Sequence, residues 1–113
     1  KEAAAALKKR LIAEKAAGFE PDTDKTAVFE NGLDIKELQL LADALCQKAG
    51  GIRGAFSGAD GAFSFAICGE ETALGDFFAE FKAAFNTRGG GRNGIRQGTV
   101  CADRAEIERL FTE

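Results

Sequence analysis

The sequence predicts an α/β (α+β) domain: a mixed sheet of about four to five strands with flanking helices, preceded by an N-terminal linker helix. Three observations carry this. Apolar residues recur at helical spacing in several segments, most clearly Leu74, Phe77, Phe78, Phe81 and Phe85. Other segments, such as Phe63, Phe65 and Ile67, alternate as a half-buried strand does. With 45% hydrophobic and 29% charged residues, the chain has the balance of a globular domain rather than a disordered one.

The elements follow in order. Residues 2–17 read as a helix, with Ala-rich propensity, Leu7, Leu11 and Ile12 on one side, and Gly18 and Pro21 as stops. Its apolar face is thin, so two readings stay open: packing on its own domain, or pairing with another chain. Thr26 to Glu30 is a strand candidate ended by Asn31-Gly32. Ile35 to about Lys48 is a helix, with Asp34 and Glu37 spaced as a capping box and Ile35, Leu38, Leu41 and Leu45 as its buried stripe. Strands over Ile52–Ser57 and Ala62–Cys68 are joined through Gly58-Ala59-Asp60-Gly61, whose Asp-Gly pair marks a tight turn. The Leu74–Phe85 stripe predicts a helix covering a sheet, and core packing is the better account of it than base stacking. Gln97–Ala102 reads as the last strand, and Asp103 with Glu106 caps a helix bearing Ile107, Leu110 and Phe111.

At 113 residues there is room for one real core. We divide the chain into a linker or dimerisation helix over residues 1–20 and a domain over residues 24–113. No apolar run approaches the ~18 residues that span a bilayer, so no membrane role is expected. The chain starts at Lys1 and lacks Met, which reads as a fragment whose partner domains precede it. Cys46, Cys68 and Cys101 are odd in number, far apart and in apolar segments. They read as buried free thiols in a reducing, cytoplasmic setting. The chain contains no His, and its dispersed cysteines cannot close a zinc site; no cofactor and no catalytic or metal-binding residue is expected in it. Ser57, Ser64 and the threonines lack a His base. Glu70-Glu71 reads as solvated surface.

The charge distribution is more informative than the net −3. Between Phe81 and Ala102 there is no Asp or Glu, while Lys82, Arg88, Arg92 and Arg96 contribute +4, leaving −7 on the rest of the chain. Such a strip steers an anion to one place. At its centre, Gly89 to Gly94 satisfies G-x-G-x-x-G, but a dinucleotide fingerprint needs a strand before it and a helix after it. Here a helix is expected before and a strand after. Without Gly-Lys-Ser/Thr, a Walker loop also fails. Successive glycines can still bring peptide N–H groups close to a phosphate. The candidate site is Arg88, Gly89, Gly90, Gly91, Arg92, Asn93, Arg96, Gln97 and Gly98, with Arg88 and Arg92 as guanidinium forks. A solvated connection without a ligand remains the alternative.

Arg88-Gly89-Gly90-Gly91-Arg92 followed by Gln97-Gly98 resembles the DHH-associated C-terminal domain. That domain ends alanyl-tRNA synthetases and long AlaX-type alanyl-tRNA editing proteins, and occurs in RecJ-type DHH phosphoesterases. The Phe56–Gly61 hairpin, the Leu38-Leu41-Ala42 helix and the closing Asp103–Phe111 helix fit it, over about residues 24–112. The phosphoesterase branch carries His after the glycines and an Ala-rich pair before the last Gly. Arg92 and Arg96-Gln97 stand there instead, which favours the alanyl-tRNA branch. Asn86-Thr87 and Asn93 depart from that branch's usual Gly-Gly and Pro. The resemblance implies a non-catalytic domain that docks tRNA, specific for alanine, for upstream catalytic domains. ATP binding, or the zinc of an editing domain, would lie there. It also implies homodimerisation through the preceding helix. Two alternatives are a homodimerisation module and an accessory single-strand-binding domain of a DHH-type phosphoesterase.

Overall fold

In a computed structural model of the chain, residues 25–91 and 94–112 are described, together with Arg10 and Glu14. The expected helix over 2–17 lies outside these residues except for that pair, which is helical and joined by an exposed i,i+4 contact of 3.2 Å. Arg92 and Asn93 lie outside them as well.

The described elements are β1 (Lys25–Phe29), α1 (Ile35–Ala49), β2 (Ile52–Ala59), β3 (Ala62–Cys68), α2 (Glu71–Ala84), β4 (Asn86–Gly90), β5 (Ile95–Cys101) and α3 (Arg104–Thr112). The five strands form one sheet in the order β1-β2-β3-β5-β4. β1 runs parallel to β2, and every other pairing is antiparallel. This is the mixed α+β sheet the sequence predicts. Two local differences matter. β4 occupies residues read as a loop, and β5 begins at Ile95 rather than Gln97.

Local chemistry accounts for the helix starts. The Asp34 carboxylate accepts from Glu37 N at 2.9 Å while Glu37 Oε1 accepts from Asp34 N at 2.9 Å, a complete capping box. At α3, Asp103 N donates to Glu106 Oε1 at 3.1 Å. Arg104 N donates to Asp60 Oδ1 at 2.9 Å, so the β2–β3 turn also caps that helix.

Each strand divides its side chains between two faces. On one face α1 sets Leu38, Leu41, Ala42 and Leu45 against Ala55, Ala66 and Cys68. On the other, α2 and α3 cover Phe56, Phe63, Phe65 and Ile67 with Leu74, Phe77, Phe78, Phe81, Ile107 and Phe111. Phe81 lies 5.3 Å from Phe65, and Phe77 lies 4.8 Å from Phe111, centroid to centroid. Burying each ring contributes about 1.5–3 kcal/mol. The aromatic stripe is core, as its spacing predicts.

The cysteines differ from the expectation of three buried thiols. Cys46, at the end of α1, and Cys68, at the end of β3, are joined in a disulfide with Cα atoms 6.5 Å apart. Cys101 is free and exposed, because it ends β5 on the α1 side of the sheet but beyond the part that α1 covers. Sequence separation hid the pairing: 22 residues are brought together by the return of β2 and β3 beneath α1. The cysteine count therefore no longer argues for a reducing compartment. Among the described residues, no helix is long and apolar enough to cross a membrane.

Candidate nucleic-acid interface

The glycine-rich stretch is a hairpin at the sheet edge. Arg88, Gly89 and Gly90 belong to β4, and Arg96, Gln97 and Gly98 belong to β5. Gly91 and Gly94 flank the turn between them, where Arg92 and Asn93 lie outside the described residues. The expected helix-loop-strand arrangement is therefore helix-strand-turn-strand. Low strand propensity concealed β4, since propensity reflects side-chain packing that glycine cannot supply.

Backbone proximity explains much of the glycine content. Gly89 and Gly98 are direct cross-strand partners. Their φ angles are +147° and +153°, where side chains are strained. A Cβ on Gly98 would fall on Arg88 O and stand 2.7 Å from Gly89 Cα. One on Gly89 would fall on Gln97 O and stand 2.8 Å from Gly98 Cα. Around Gly90, by contrast, nothing lies within 4 Å of an added Cβ. So the run of glycines is chiefly a strand-pairing device, and only its Gly90 stretch is open to a ligand.

The basic strip divides between the two sheet faces. Arg96 points towards α2, where its guanidinium meets Glu71 at 2.6 and 3.2 Å and lies 6.0 Å from the Phe78 ring centroid. Its side chain is only 11% exposed, and the Glu71 carboxylate raises its pKa above the ordinary value. Arg96 is thus paired with Glu71 on the face opposite Arg88, whereas the sequence reading set it close by Arg88 and Arg92 among the phosphate-binding residues. Glu71 also accepts Gly94 N at 2.7 Å, while Gly69 N donates to Gly94 O at 3.0 Å. Gly94 is thus anchored through both its N–H and its carbonyl. Glu70 accepts from Ala73 N at 2.8 Å and caps α2, which lowers its pKa through bonds to Ala73 and Thr72 N–H groups. Neither glutamate is idle surface.

Arg88 lies on the opposite face and is exposed, with no ion pair to another described residue. The register sets Ser57, Ser64, Thr99 and Arg88 in one row across β2, β3, β5 and β4. Gln97 lies in the adjoining row between Ala66 and Gly90, its Oε1 buried without a hydrogen-bond partner among the described residues. Sequence reading missed Ser64 and Thr99. Their signal was the parity of β5, which alternates Gln97, Thr99 and Cys101 with Arg96, Gly98 and Val100.

No protein-family model matches this sequence, and no curated protein matches it. Among solved structures, the chain is similar to the C-Ala domain from Aquifex aeolicus alanyl-tRNA synthetase. The identity is 19%, the TM-score 0.57, and the match covers 83% of this chain and 97% of that one. What the two share at that identity is the fold, and it is the fold the resemblance to alanyl-tRNA proteins implied.

Proposed function

We propose that this chain is a non-catalytic RNA-binding domain that docks tRNA for catalytic domains elsewhere in an alanyl-tRNA synthetase-like or alanyl-tRNA editing protein. The observation that carries the reading is Arg88: an exposed cation without an ion pair among the described residues, on an edge strand beside open Gly90, in a domain folded like C-Ala. A guanidinium there offers a planar fork to phosphate oxygens, and the absence of Asp and Glu from Phe81 to Ala102 keeps this stretch of chain from repelling them. Contacts of this kind position an RNA without reading its sequence. Alanine-accepting tRNA is the partner we propose, with homodimerisation through the preceding segment as a further part of the same reading.

The test is equilibrium binding of an alanine tRNA transcript across a salt series. Each phosphate contact contributes a slope of about −0.7 to −0.9 in log K against log salt. Arg88→Ala is expected to weaken binding and to reduce that slope by about one contact. Arg88→Ala combined with Arg92→Ala should remove more. Parental affinity and slope in the double variant would reject the hairpin as the phosphate site.

A further inference from the structure

The face of β4 and β5 that α1 leaves uncovered has a composition of its own. Arg88, Thr99, Asn86 and Cys101 are exposed there, and Ser64 and Gln97 are half-buried. Cross-strand pairing makes them neighbours: Ser64 opposite Thr99, Thr99 opposite Arg88, Cys101 opposite Asn86. Strands about 4.8 Å apart make this a shelf some three strands wide. None of these positions is a carboxylate. The shelf is bounded on one side by the flank of α1, where a groove of about 550 Å³ is lined by Lys36, Gln39, Leu40 and Asp43 against Gly94 and Ile95. The acid in that wall, Asp43, already accepts from Gln47 Nε2 at 2.9 Å.

Among the described residues, the shelf also lacks aromatic rings. Phe56, Phe63, Phe65, Phe77, Phe78, Phe81 and Phe111 are all packed in the core on the other face, and Phe29 and Phe85 pack against it. Surfaces that bind unpaired bases generally do so by stacking them on exposed aromatic rings. Hydroxyl, carboxamide and guanidinium groups on an open sheet face suit another target. The wide, shallow minor groove of an A-form helix displays rows of ribose 2′-hydroxyls, which both donate and accept, between phosphates.

We propose that this shelf receives the minor-groove face of a base-paired RNA stem, with Thr99 and Ser64 contacting ribose 2′-hydroxyls and Arg88 a flanking phosphate. The proposal rests on the RNA-binding reading and adds to it a surface, a helical rather than single-stranded ligand, and selection of ribose over deoxyribose. Gln97, whose buried carboxamide oxygen has no hydrogen-bond partner among the described residues, borders the contact on the same face.

Cys101 makes the surface testable, since its thiol is free, exposed and on the shelf. Alkylation of Cys101, followed by peptide mass analysis, is measured with and without saturating alanine tRNA transcript. Affinities are measured in parallel for the transcript, for DNA of the same sequence and for a short single-stranded RNA. The expected results are slowed alkylation under RNA, weaker binding of both competitors, and a roughly three- to tenfold loss of RNA affinity in Thr99→Val, the span of one hydrogen bond, with DNA affinity unmoved. Binding that depends on Arg88, yet leaves Cys101 alkylation and the Thr99→Val affinity unchanged, would overturn the shelf and leave the hairpin reading standing. Equal affinity for RNA and DNA would remove the ribose contacts, and a preference for the single strand would remove the stem. No tRNA binding by the parent chain would overturn both readings.

Discussion

Removing the Glu71 carboxylate should destabilise the domain by about 2–3 kcal/mol, and Arg96 is the reason. Glu71 bonds Arg96 at 2.6 and 3.2 Å and Gly94 N at 2.7 Å. Breaking a fully buried ion pair from one side costs about 3–5 kcal/mol, because a charge is left without its partner. Arg96 is close to that limit at 11% side-chain exposure, but Glu71 is 51% exposed, so water screens the pair and the figure is discounted. Arg96 also keeps its bond to Ile95 O at 2.9 Å. The assay is urea unfolding of the whole chain followed by circular dichroism, comparing Glu71→Ala, Arg96→Met and the double variant. Arg96→Met removes the buried charge along with its need for a partner, so the double variant should be more stable than Glu71→Ala alone. A Glu71→Ala cost below about 0.5 kcal/mol, the scale of an ordinary surface substitution, would refute the reasoning. Additive costs would refute it equally, since they would mean the two groups act independently.

Three further outcomes follow from the same geometry. Gly98→Ala should cost at least about 2 kcal/mol in the same unfolding assay, since its Cβ would fall on Arg88 O at a φ of +153°; Gly90→Ala, with nothing within 4 Å, should cost much less. Thiol titration of the unfolded chain without reductant should find Cys101 alone, and reduction should release Cys46 and Cys68; by loop-closure entropy across 22 residues, losing the bridge costs about 3 kcal/mol. Glu70 has a lowered folded-state pKa, so its capping contribution is present above the ordinary value of 4.5 and fades as pH falls through the lower folded value. Melting temperatures of Glu70→Gln should therefore depend less on pH over that acid window than those of the parent.

The helices and the mixed sheet were legible because their signals are local. Capping residues, turn pairs and the Phe stripe act within a few residues of one another, and the fold keeps what they specify. What was illegible depended on partners distant in sequence. β4 has no pattern of its own and exists through pairing with β5. Glu71 lies 25 residues before Arg96, and nothing around either marks the pair. The basic strip was read as one patch because charge along a chain carries no face. In a strand, one position decides which side of the sheet a cation occupies.

That dependence gives the glycines their function in the candidate site. The close pairing of Gly89 with Gly98 admits no side chain on either partner, so it bars a register that would bring Arg88 opposite Gly98. Sliding β4 by one residue would set Arg88 opposite Gly98, on the face where Arg96 already lies against Glu71. Two guanidinium groups would then share one carboxylate, and the outer face would lose its exposed cation. The glycine run need not touch a phosphate to matter for binding one. By barring that slide, it helps keep Arg88 in line with Thr99 and Ser64, on the face opposite Arg96.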